Sequence, residues 1–275
     1  MSALRDLAIE LWVERRDGRP AVNPVIAALL ELLACDGAAT AVRTPETELL
    51  DPRRPPADVI LLKSANPVAV AAALAAERRG ALVLNSAAAT ARANDKAAAV
   101  GALAAVGVAV PETLLADRSC TDAAGLAGAW VAKPVRGVHG VGVHSAASYR
   151  EALAGVTVNG SAVLDDGTRI VQRLVGRGAI DVKVYAAGDR LFAGGKRFDT
   201  TSFRCDRIRP LEPTAKMREV ALAAGAALGL TLFGVDLRRD RDALYVVDVN
   251  PFPGYRGFPA AAAALRDEIA RRVAA

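Results

Sequence analysis

Three oxygen-bearing side chains, Asp236, Asp248 and Asn250, stand in two neighbouring apolar runs near the end of the chain. The polar cluster 238–242 separates the runs, which predicts a strand, a five-residue turn and a returning strand. Because side chains alternate between the faces of a strand, the three polar residues are expected on one face. The other face is expected to be apolar and to hold Val235, Leu237, Tyr245, Val247 and Val249. Carboxylate and amide oxygens suit Mg2+, which keeps water ligands and is normally completed by substrate phosphates.

This hairpin has a second interpretation, in which its polar residues simply face solvent. The sequence after Asn250 favours a ligand site, because a Pro-Phe-Pro-Gly break and an alanine-rich run follow it. The run predicts a helix, and backbone amides at a helix start can meet an anion.

A glycine-rich loop, 136–140, joins two segments that are expected to be strands, 129–135 and 141–145. Its pattern is G-x-x-G-x-G, from Gly137 through Gly140 to Gly142, and glycine lets the backbone approach a ligand closely. The chain lacks the strand–turn–helix context of a dinucleotide fingerprint and has no G-x-x-x-x-G-K-S/T motif. Lys133 places a positive charge beside the loop. The loop is interpreted either as a phosphate cover or as an ordinary turn.

Other charged residues occupy positions that a ligand would explain. Lys96 is expected in the first turn of a helix, where it opposes the helix dipole unless it has an anionic partner. A plain surface lysine is the alternative. Asp181 and Lys183 alternate with apolar residues in a strand that has one polar face. The loop 200–210 contains arginines that either close over an anionic substrate or lie in solvent: Arg204, Arg207 and Arg209.

Strands and helices that position these residues alternate over the first 85 residues. Strands are predicted at 7–13, 59–62 and 81–84, and helices at 23–34 and 67–80, with Asn66 capping the second helix. This order indicates a small parallel α/β layer. Beyond it, helices are predicted at 96–107 and 214–228, and strands at 169–175, 179–186 and 190–198.

Composition places the chain among globular proteins with more than one subdomain. Its 275 residues exceed the usual size of one core. The net charge is +5, and the basic residues are dispersed among nearly as many acidic residues. Nucleic acid is therefore not expected as a partner. Apolar runs are much shorter than the ~20 residues of a membrane helix, and the start lacks a signal-peptide pattern, so a cytoplasmic protein is expected. Cys35, Cys120 and Cys205 are expected to be reduced and buried.

The order of these motifs resembles the ATP-grasp superfamily, most closely its RimK-like and glutathione-synthetase-like ligases. The resemblance covers the chain from Asn85 to the C-terminus. The motifs that carry it are Leu84-Asn-Ser, Asn94-Asp-Lys96, Val131-Ala-Lys-Pro with Gly137-x-x-Gly140-x-Gly142, Ile170-Val-Gln-Arg-Leu174, Asp181-Val-Lys-Val-Tyr185, Gly234-Val-Asp236 and Val247-Asp-Val-Asn-Pro-x-Pro-Gly254. It implies an ATP-grasp fold, α/β and α+β, with a pre-ATP-grasp domain at 1–85, a central subdomain at 86–175 and a C-terminal subdomain at 176–275.

The resemblance also implies roles for single residues. Lys96, Lys133 and the glycine hairpin would hold the phosphates of ATP, and Gln172, Arg173 and Leu174 would lie beside adenine. The metal ligands would be Asp236, Asp248 and Asn250. Lys183, Lys196 and Arg197 would face the transferred phosphoryl group or the substrate carboxylate, and Arg256 and Gly254 would lie at the acceptor end. The chain departs from the family pattern at three of these positions, where the family commonly has Glu for Asp248, Glu for Gln172 and Arg for Lys183.

The implied reaction is ATP-dependent ligation of a carboxylate to an amine through an acylphosphate, with Mg2+, or alternatively Mn2+, as the ion. Amino acids or a peptide are the expected substrates, and a homodimer is left open. Two other functions remain. The motifs Lys183-Val-Tyr185 and Asp248-Val-Asn-Pro-Phe-Pro-Gly-Tyr255 also resemble those of inositol polyphosphate kinases, which share the fold. A nucleotide-binding protein without turnover is the third interpretation.

Overall fold

A parallel sheet forms the N-terminal layer of the computed structural model, which describes residues 2–120, 126–137, 141–156, 166–176, 180–197 and 208–275. The strand order in this sheet is β4-β1-β5-β6, and a short β2–β3 hairpin follows β1. The layer contains β1 (Ala8–Val13), β2 (Arg15–Arg16), β3 (Arg19–Pro20), α1 (Pro24–Cys35), β4 (Ala39–Arg43), β5 (Val59–Lys63), α2 (Pro67–Glu77) and β6 (Leu82–Leu84).

Both helices of this layer begin where the sequence predicts. Asn23 caps α1 by accepting hydrogen bonds from two backbone amides, and Asn66 caps α2 in the same way from one. A proline follows each cap, where its missing N–H costs nothing. The parallel layer is therefore confirmed, although the sequence pattern missed β4, a partly exposed edge strand.

The second sheet is antiparallel, with the order β7-β10-β8-β9. Its elements are β7 (Thr113–Asp117), β8 (Trp130–Pro134), β9 (His144–Ala146), α5 (Tyr149–Ala154) and β10 (Thr168–Arg173), preceded in the chain by α3 (Ala87–Asn94) and α4 (Lys96–Ala105). Trp130 is fully buried here and meets Tyr149 edge-on. The predicted hairpin on either side of the glycine loop is present as β8 and β9.

The third sheet is also antiparallel and has the order β13-β12-β11-β14-β15. Its elements are β11 (Ile180–Ala187), β12 (Arg190–Arg197), β13 (Arg209–Leu211), α6 (Ala215–Leu228), β14 (Leu232–Asp240), β15 (Ala243–Pro251) and α7 (Ala261–Val273). One face of this sheet is apolar and packs on α6, with Val184, Val235 and Leu237 fully buried. Its other face is therefore available for polar residues.

Helices tie the three sheets together across the chain order. Helices α3 and α4 precede the second sheet in sequence but pack with α6 in the core of the third. Helix α7 packs against α1 of the N-terminal layer. Asn85 is buried and links the N-terminal layer to β14, because its amide accepts from Thr231 and Leu232 and donates to the Leu232 carbonyl. The predicted subdomain bounds at 85 and 175 remain predictions.

The expectation that the cysteines are buried needs correction, and some of the residues singled out in the sequence lie outside the described chain. Cys35 is exposed rather than buried, because it is the last residue of α1 on the side away from the sheet core, and Cys120 is half-buried. Cys205, Arg204 and Arg207 fall outside the described residues. Within the described chain, every helix is too short or too polar to cross a membrane.

Candidate active site

One face of the third sheet gathers the charged residues that the sequence singled out, and it is called the site face below. In the strand register, Lys183 lies opposite Asp236, and Asp236 lies opposite Asp248. Gly234 lies opposite Asn250 in the next row of the same face. The predicted convergence of the two carboxylates and the amide is therefore present in the geometry.

The hairpin that carries them is built differently from the prediction. Strand β14 continues to Asp240 and β15 begins at Ala243, so the turn has two residues rather than five. The register shifts between Asp236 and Leu237, which leaves an extra residue in β15 at Val247. A bulge of this kind moves the following side chains to the other face. The prediction that Tyr245 and Val247 face the core was therefore wrong. In this part of β15 the side chains that face the core are those of Leu244 and Val246.

Lys133 connects the second sheet to this bulge. It lies on β8, its side chain is buried, and its ammonium donates a 2.9 Å hydrogen bond to the carbonyl of Val247. Burial lowers the pKa of Lys133 to about 8, with Lys96 acting in the same direction and Asp248 opposing it. A buried ammonium therefore lies between the two sheets, close to the carboxylates of the site face.

Lys96 lies beside Lys133 as the first residue of α4, as predicted. Its ammonium donates a 2.5 Å hydrogen bond to the carbonyl of Gly137, and its amide donates to the carbonyl of Val135. Asp95 caps the helix, and its carboxylate also pairs with Arg136. Lys96 is thus fixed at the base of the glycine hairpin, where its ammonium would lie close to an anion bound under the hairpin.

The glycine hairpin itself is only partly described. Gly142 has a positive φ of 71°, a conformation that glycine adopts without strain. Gly140 and His139 lie outside the described residues. His144 lies on β9 and fills the space above Gly155, where even a methyl group would collide with its ring. This packing indicates a structural role for His144.

Lys183 and Asp236 form the closest ion pair of the site face. The Lys183 ammonium is 2.5 Å from each oxygen of the Asp236 carboxylate. Burial alone would lower the pKa of Lys183, but the charge of Asp236 and the hydrogen bond to it outweigh burial and raise the pKa. Lys183 therefore remains a cation at neutral pH.

A second cluster occupies the next row of the site face. Arg238 donates two 2.9 Å contacts to one oxygen of Asp181, and Lys196 is 3.8 Å from the other oxygen. Arg238 also donates to the carbonyl of Val175. Arg197 ends β12, and only its backbone is described. The sequence pattern predicted Arg238 in the turn rather than on the strand, so it was not expected at the site. Arg238 follows Asp236 by two residues on β14, which places both side chains on the same face.

Removing Arg238 is expected to destabilise the fold. Arg238→Met leaves the largely buried Asp181 carboxylate with the more distant Lys196, and breaking one side of a buried ion pair costs about 3 kcal/mol. Urea unfolding at neutral pH measures this loss. Arg239→Met is the matched control, since Arg239 is exposed on the same strand and its replacement should change stability by less than about 0.5 kcal/mol. Equal losses in the two variants would contradict the assigned role of Arg238.

The segment expected beside adenine uses its backbone donors within the protein. The amide of Arg173 donates to the Glu112 carbonyl and that of Leu174 to the Ala129 carbonyl, both at 2.9 Å. The Arg173 side chain pairs with Glu112 and stacks over Trp130 at 4.4 Å. Gln172 is buried and donates to the Thr113 hydroxyl. The amides of Arg173 and Leu174 are therefore already occupied within the protein, and the placement of adenine beside this segment remains a prediction.

The loop after Asn250 also differs from the expectation. Helix α7 begins only at Ala261, and the amides of Ala261 and Ala262 donate to the carbonyls of Phe258 and Pro259. Two amides of the first turn are therefore occupied within the protein, and the anion contact at this helix start remains a prediction. Arg256 lies in the loop and is exposed.

The site residues fit a magnesium ion that a phosphate ligand completes. In the described ranges, no three His, Cys, Asp or Glu side chains are arranged to hold a metal by themselves. The available set is two carboxylates and one amide, which are hard oxygen donors and leave coordination positions for water and phosphate. Lys133 and Lys96 lie on the neighbouring elements, where they could balance the phosphate charge.

Comparison with known proteins identifies related sequences. A family model described as the inositol 1,3,4-trisphosphate 5/6-kinase ATP-grasp domain matches residues 197–271. A probable alpha-L-glutamate ligase of Sodalis glossinidius (strain morsitans) is 34% identical over 203 residues, which are 67% of this chain and 65% of that protein. The chain thus spans just under two thirds of the length of this relative.

Solved structures match nearly the whole chain. A RimK domain ATP-grasp protein from Sphaerobacter thermophilus DSM 20745 gives a TM-score of 0.75 at 19% identity and covers 96% of this chain and 98% of its own. The ATP-grasp ligase PsnB, in complex with a phosphomimetic variant of its minimal precursor, Mg and ADP, gives 0.64 at 17% identity and covers 98% and 100%. The fold is the mixed α/β ATP-grasp fold, and the chain belongs to the ATP-grasp superfamily.

Proposed function

We propose that this protein is an ATP-dependent ligase that joins a carboxylate to an amine. Bound Mg-ATP would supply the phosphoryl group that converts the carboxylate to an acylphosphate, from which the amine displaces phosphate to give an amide. Phosphoryl transfer asks a protein mainly for positioning and for charge neutralisation. The described residues supply both, and no protein nucleophile is required.

The observation that carries this proposal is the position of Lys133 between the second and third sheets. Its ammonium already bridges to the carbonyl of Val247, the neighbour of Asp248. A triphosphate that enters between the sheets would meet Lys133 and Lys96 on one side and Asp236 and Asp248 on the other. Opposite charges on facing elements suit a ligand that carries phosphate together with a divalent cation.

Lys183 is proposed to act at the reacting end of this site. Both oxygens of Asp236 accept from Lys183, so a cation that binds Asp236 must loosen this pair. Loosening would release an ammonium on the site face, where it can neutralise charge on the transferred group. Lys196 is held near Asp181 in the next row and is proposed, together with Arg197, to face the substrate carboxylate. Closure of the glycine hairpin would exclude water from the acylphosphate.

Amino acids or a peptide are the proposed substrates, and Mn2+ is proposed as a substitute for Mg2+. The relative from Sodalis is named a probable alpha-L-glutamate ligase, which makes L-glutamate the first substrate to test. Any free amino acid would bring both a carboxylate and an amine, so one compound can serve on either side of the reaction.

Phosphate release tests the proposal directly. The purified chain is incubated with ATP and Mg2+ and with amino acids, alone and in pairs, beginning with L-glutamate. We expect inorganic phosphate only when a carboxylate and an amine are both present, and mass spectrometry should find the condensed product. ATP that binds without any turnover across the set would instead indicate a nucleotide-binding protein.

A kinase is the second candidate, since the family model that matches residues 197–271 describes an inositol phosphate kinase domain. The same assay separates the two functions. A kinase converts ATP to ADP without free phosphate and adds a phosphoryl group to a hydroxyl, so inositol phosphates are included as acceptors. Phosphorylated inositol without phosphate release would replace the ligase proposal.

A further inference from the structure

A lysine and a glutamate, Lys63 and Glu14, both lie at the carboxyl edge of the N-terminal sheet. Lys63 ends β5 and lies in register with Val13, the last residue of β1, and Glu14 follows it. The chain passes from β1 to β4 on one side and then to β5 on the other, so the strand order reverses between β1 and β5. Ligands of open parallel sheets bind outside the carboxyl ends of strands at such a reversal.

The Lys63 ammonium is placed for a ligand rather than for a fixed partner. Most of its side chain is covered, and within the described ranges it makes no hydrogen bond or ion pair. Burial lowers the pKa of Lys63 to about 8, with Arg16 and Arg256 acting in the same direction and Glu14 opposing them. Glu14 is itself fixed, because one of its oxygens accepts a 2.9 Å hydrogen bond from the amide of Ala65. Covering an ammonium without a partner is unfavourable, which an anionic ligand would offset.

Arg256 reaches this edge from the other end of the chain. Its neighbour Tyr255 is fully buried and donates a 2.6 Å hydrogen bond to the carbonyl of Ala186. The carbonyl of Gly254 accepts a 3.0 Å hydrogen bond from the side-chain amide of Asn23, the cap of α1. The first bond ties the loop to β11 of the third sheet, and the second ties it to the start of α1 in the N-terminal layer. Arg256 is close enough for its charge to act on Lys63.

We propose that Lys63 and Arg256 form a subsite that binds the carboxylate of the amine substrate. The acceptor would then be an amino acid or a peptide with a free carboxylate rather than a simple amine. This inference rests on the proposed ligase function. The carboxylate that becomes activated must lie on the site face near Lys183, whereas Lys63 belongs to the N-terminal sheet. A separate carboxylate, the one that does not react, is therefore the group that suits this position.

Kinetics of three variants test the subsite. The acceptor is the one found in the phosphate-release screen. Lys63→Met should raise the KM for this acceptor about tenfold or more, because a hydrogen bond between charged groups is lost. The KM for ATP should stay within about twofold, and Lys63→Arg should retain most of the affinity. Lys216→Met, on the exposed part of α6, is the control and should leave both values unchanged. An unchanged acceptor KM in Lys63→Met would overturn the assignment.

The pH profile supplies a readout that a structural lysine would not move. Lys63 loses its charge as the pH rises through its pKa of about 8. The acceptor KM of the wild type, divided by that of Lys63→Arg at the same pH, should therefore rise above pH 8. Titration of the acceptor cancels in this ratio. A ratio that stays flat would contradict the subsite.

A labelling experiment separates this inference from the ligase proposal, since it needs no turnover. The wild-type chain is acetylated in the presence of either a mixture of L-amino acids or a mixture of the corresponding amino acid amides, and Lys63 modification is quantified by peptide mass spectrometry. Protection by the acids but not by the amides supports the subsite, even if no phosphate release is found. Equal protection, or none, overturns the subsite whether or not the chain is a ligase.

Discussion

Asp248→Asn is expected to abolish ATP turnover, with a loss of about a thousandfold or more. The replacement keeps the size of the side chain and removes one negative charge from the pair that faces the proposed magnesium position. Asp236 lies directly opposite in the strand register but already shares both oxygens with Lys183. Asp248 is therefore the carboxylate with the larger share in holding a cation.

The fold should survive this change. Asp248 is half-buried on the polar site face, and the apolar face of the same strand is held by Val246 and Val249. Asp242→Asn is the matched control, because Asp242 is an exposed carboxylate in the two-residue turn of the same hairpin. ADP formation and thermal unfolding are measured for both variants. Turnover that persists in Asp248→Asn, or that falls equally in Asp242→Asn, would refute the metal role of Asp248.

Lys133→Met is expected to weaken ATP binding about 30- to 100-fold, since the variant loses a charged hydrogen-bond donor to phosphate. The effect should depend on pH. With a pKa of about 8, Lys133 is charged at pH 7 and largely neutral above pH 9. The affinity of the wild type for ATP should therefore fall as the pH rises through 8, and Lys133→Arg should not show this fall. Titration calorimetry measures both, with Lys216→Met as the control.

A rise in pH should stabilise the fold through Lys133, whereas it should weaken the binding of ATP. The folded-state pKa of Lys133 lies below its ordinary value of 10.5, so the folded chain releases this proton first. The burial of the charged form thus destabilises the fold below pH 8, and this cost declines between pH 8 and 10.5. Lys133→Met should unfold at a temperature equal to or above that of the wild type at pH 7. Weak ATP binding in a less stable variant would instead indicate a damaged fold.

Much of the site face follows from the alternation of side chains along single strands. Asp181, Lys183 and Tyr185 share one face because they are two residues apart, and the same rule joins Asp236 to Arg238. Asp236 and Asp248 were correctly predicted on one face although the predicted turn was too long. At this pair the true register differs from the predicted one by an even number of residues, which leaves the side chains on the same face. Helix starts at Asn23 and Asn66 were predictable from local capping chemistry.

Other features depend on contacts that no local pattern contains. The bulge at Val247 adds one residue to β15, and nothing in the apolar run around it distinguishes five turn residues from two. The close pair of Lys183 with Asp236 needs two strands that are more than fifty residues apart in sequence to become neighbours. Lys63 was missed because a single lysine after an apolar strand becomes notable only once the strand order is known.

The central claim is that a Mg-nucleotide binds between the second and third sheets, held by Lys133 on one side and by the carboxylate hairpin on the other. A crystal structure of the chain with Mg2+ and a non-hydrolysable ATP analogue tests it most directly. The expected result is an ion bound by Asp236, Asp248 and Asn250, with Lys133 released from Val247 onto a phosphate. A nucleotide bound elsewhere, with Lys133 still on the Val247 carbonyl and no ion at the hairpin, would contradict the claim.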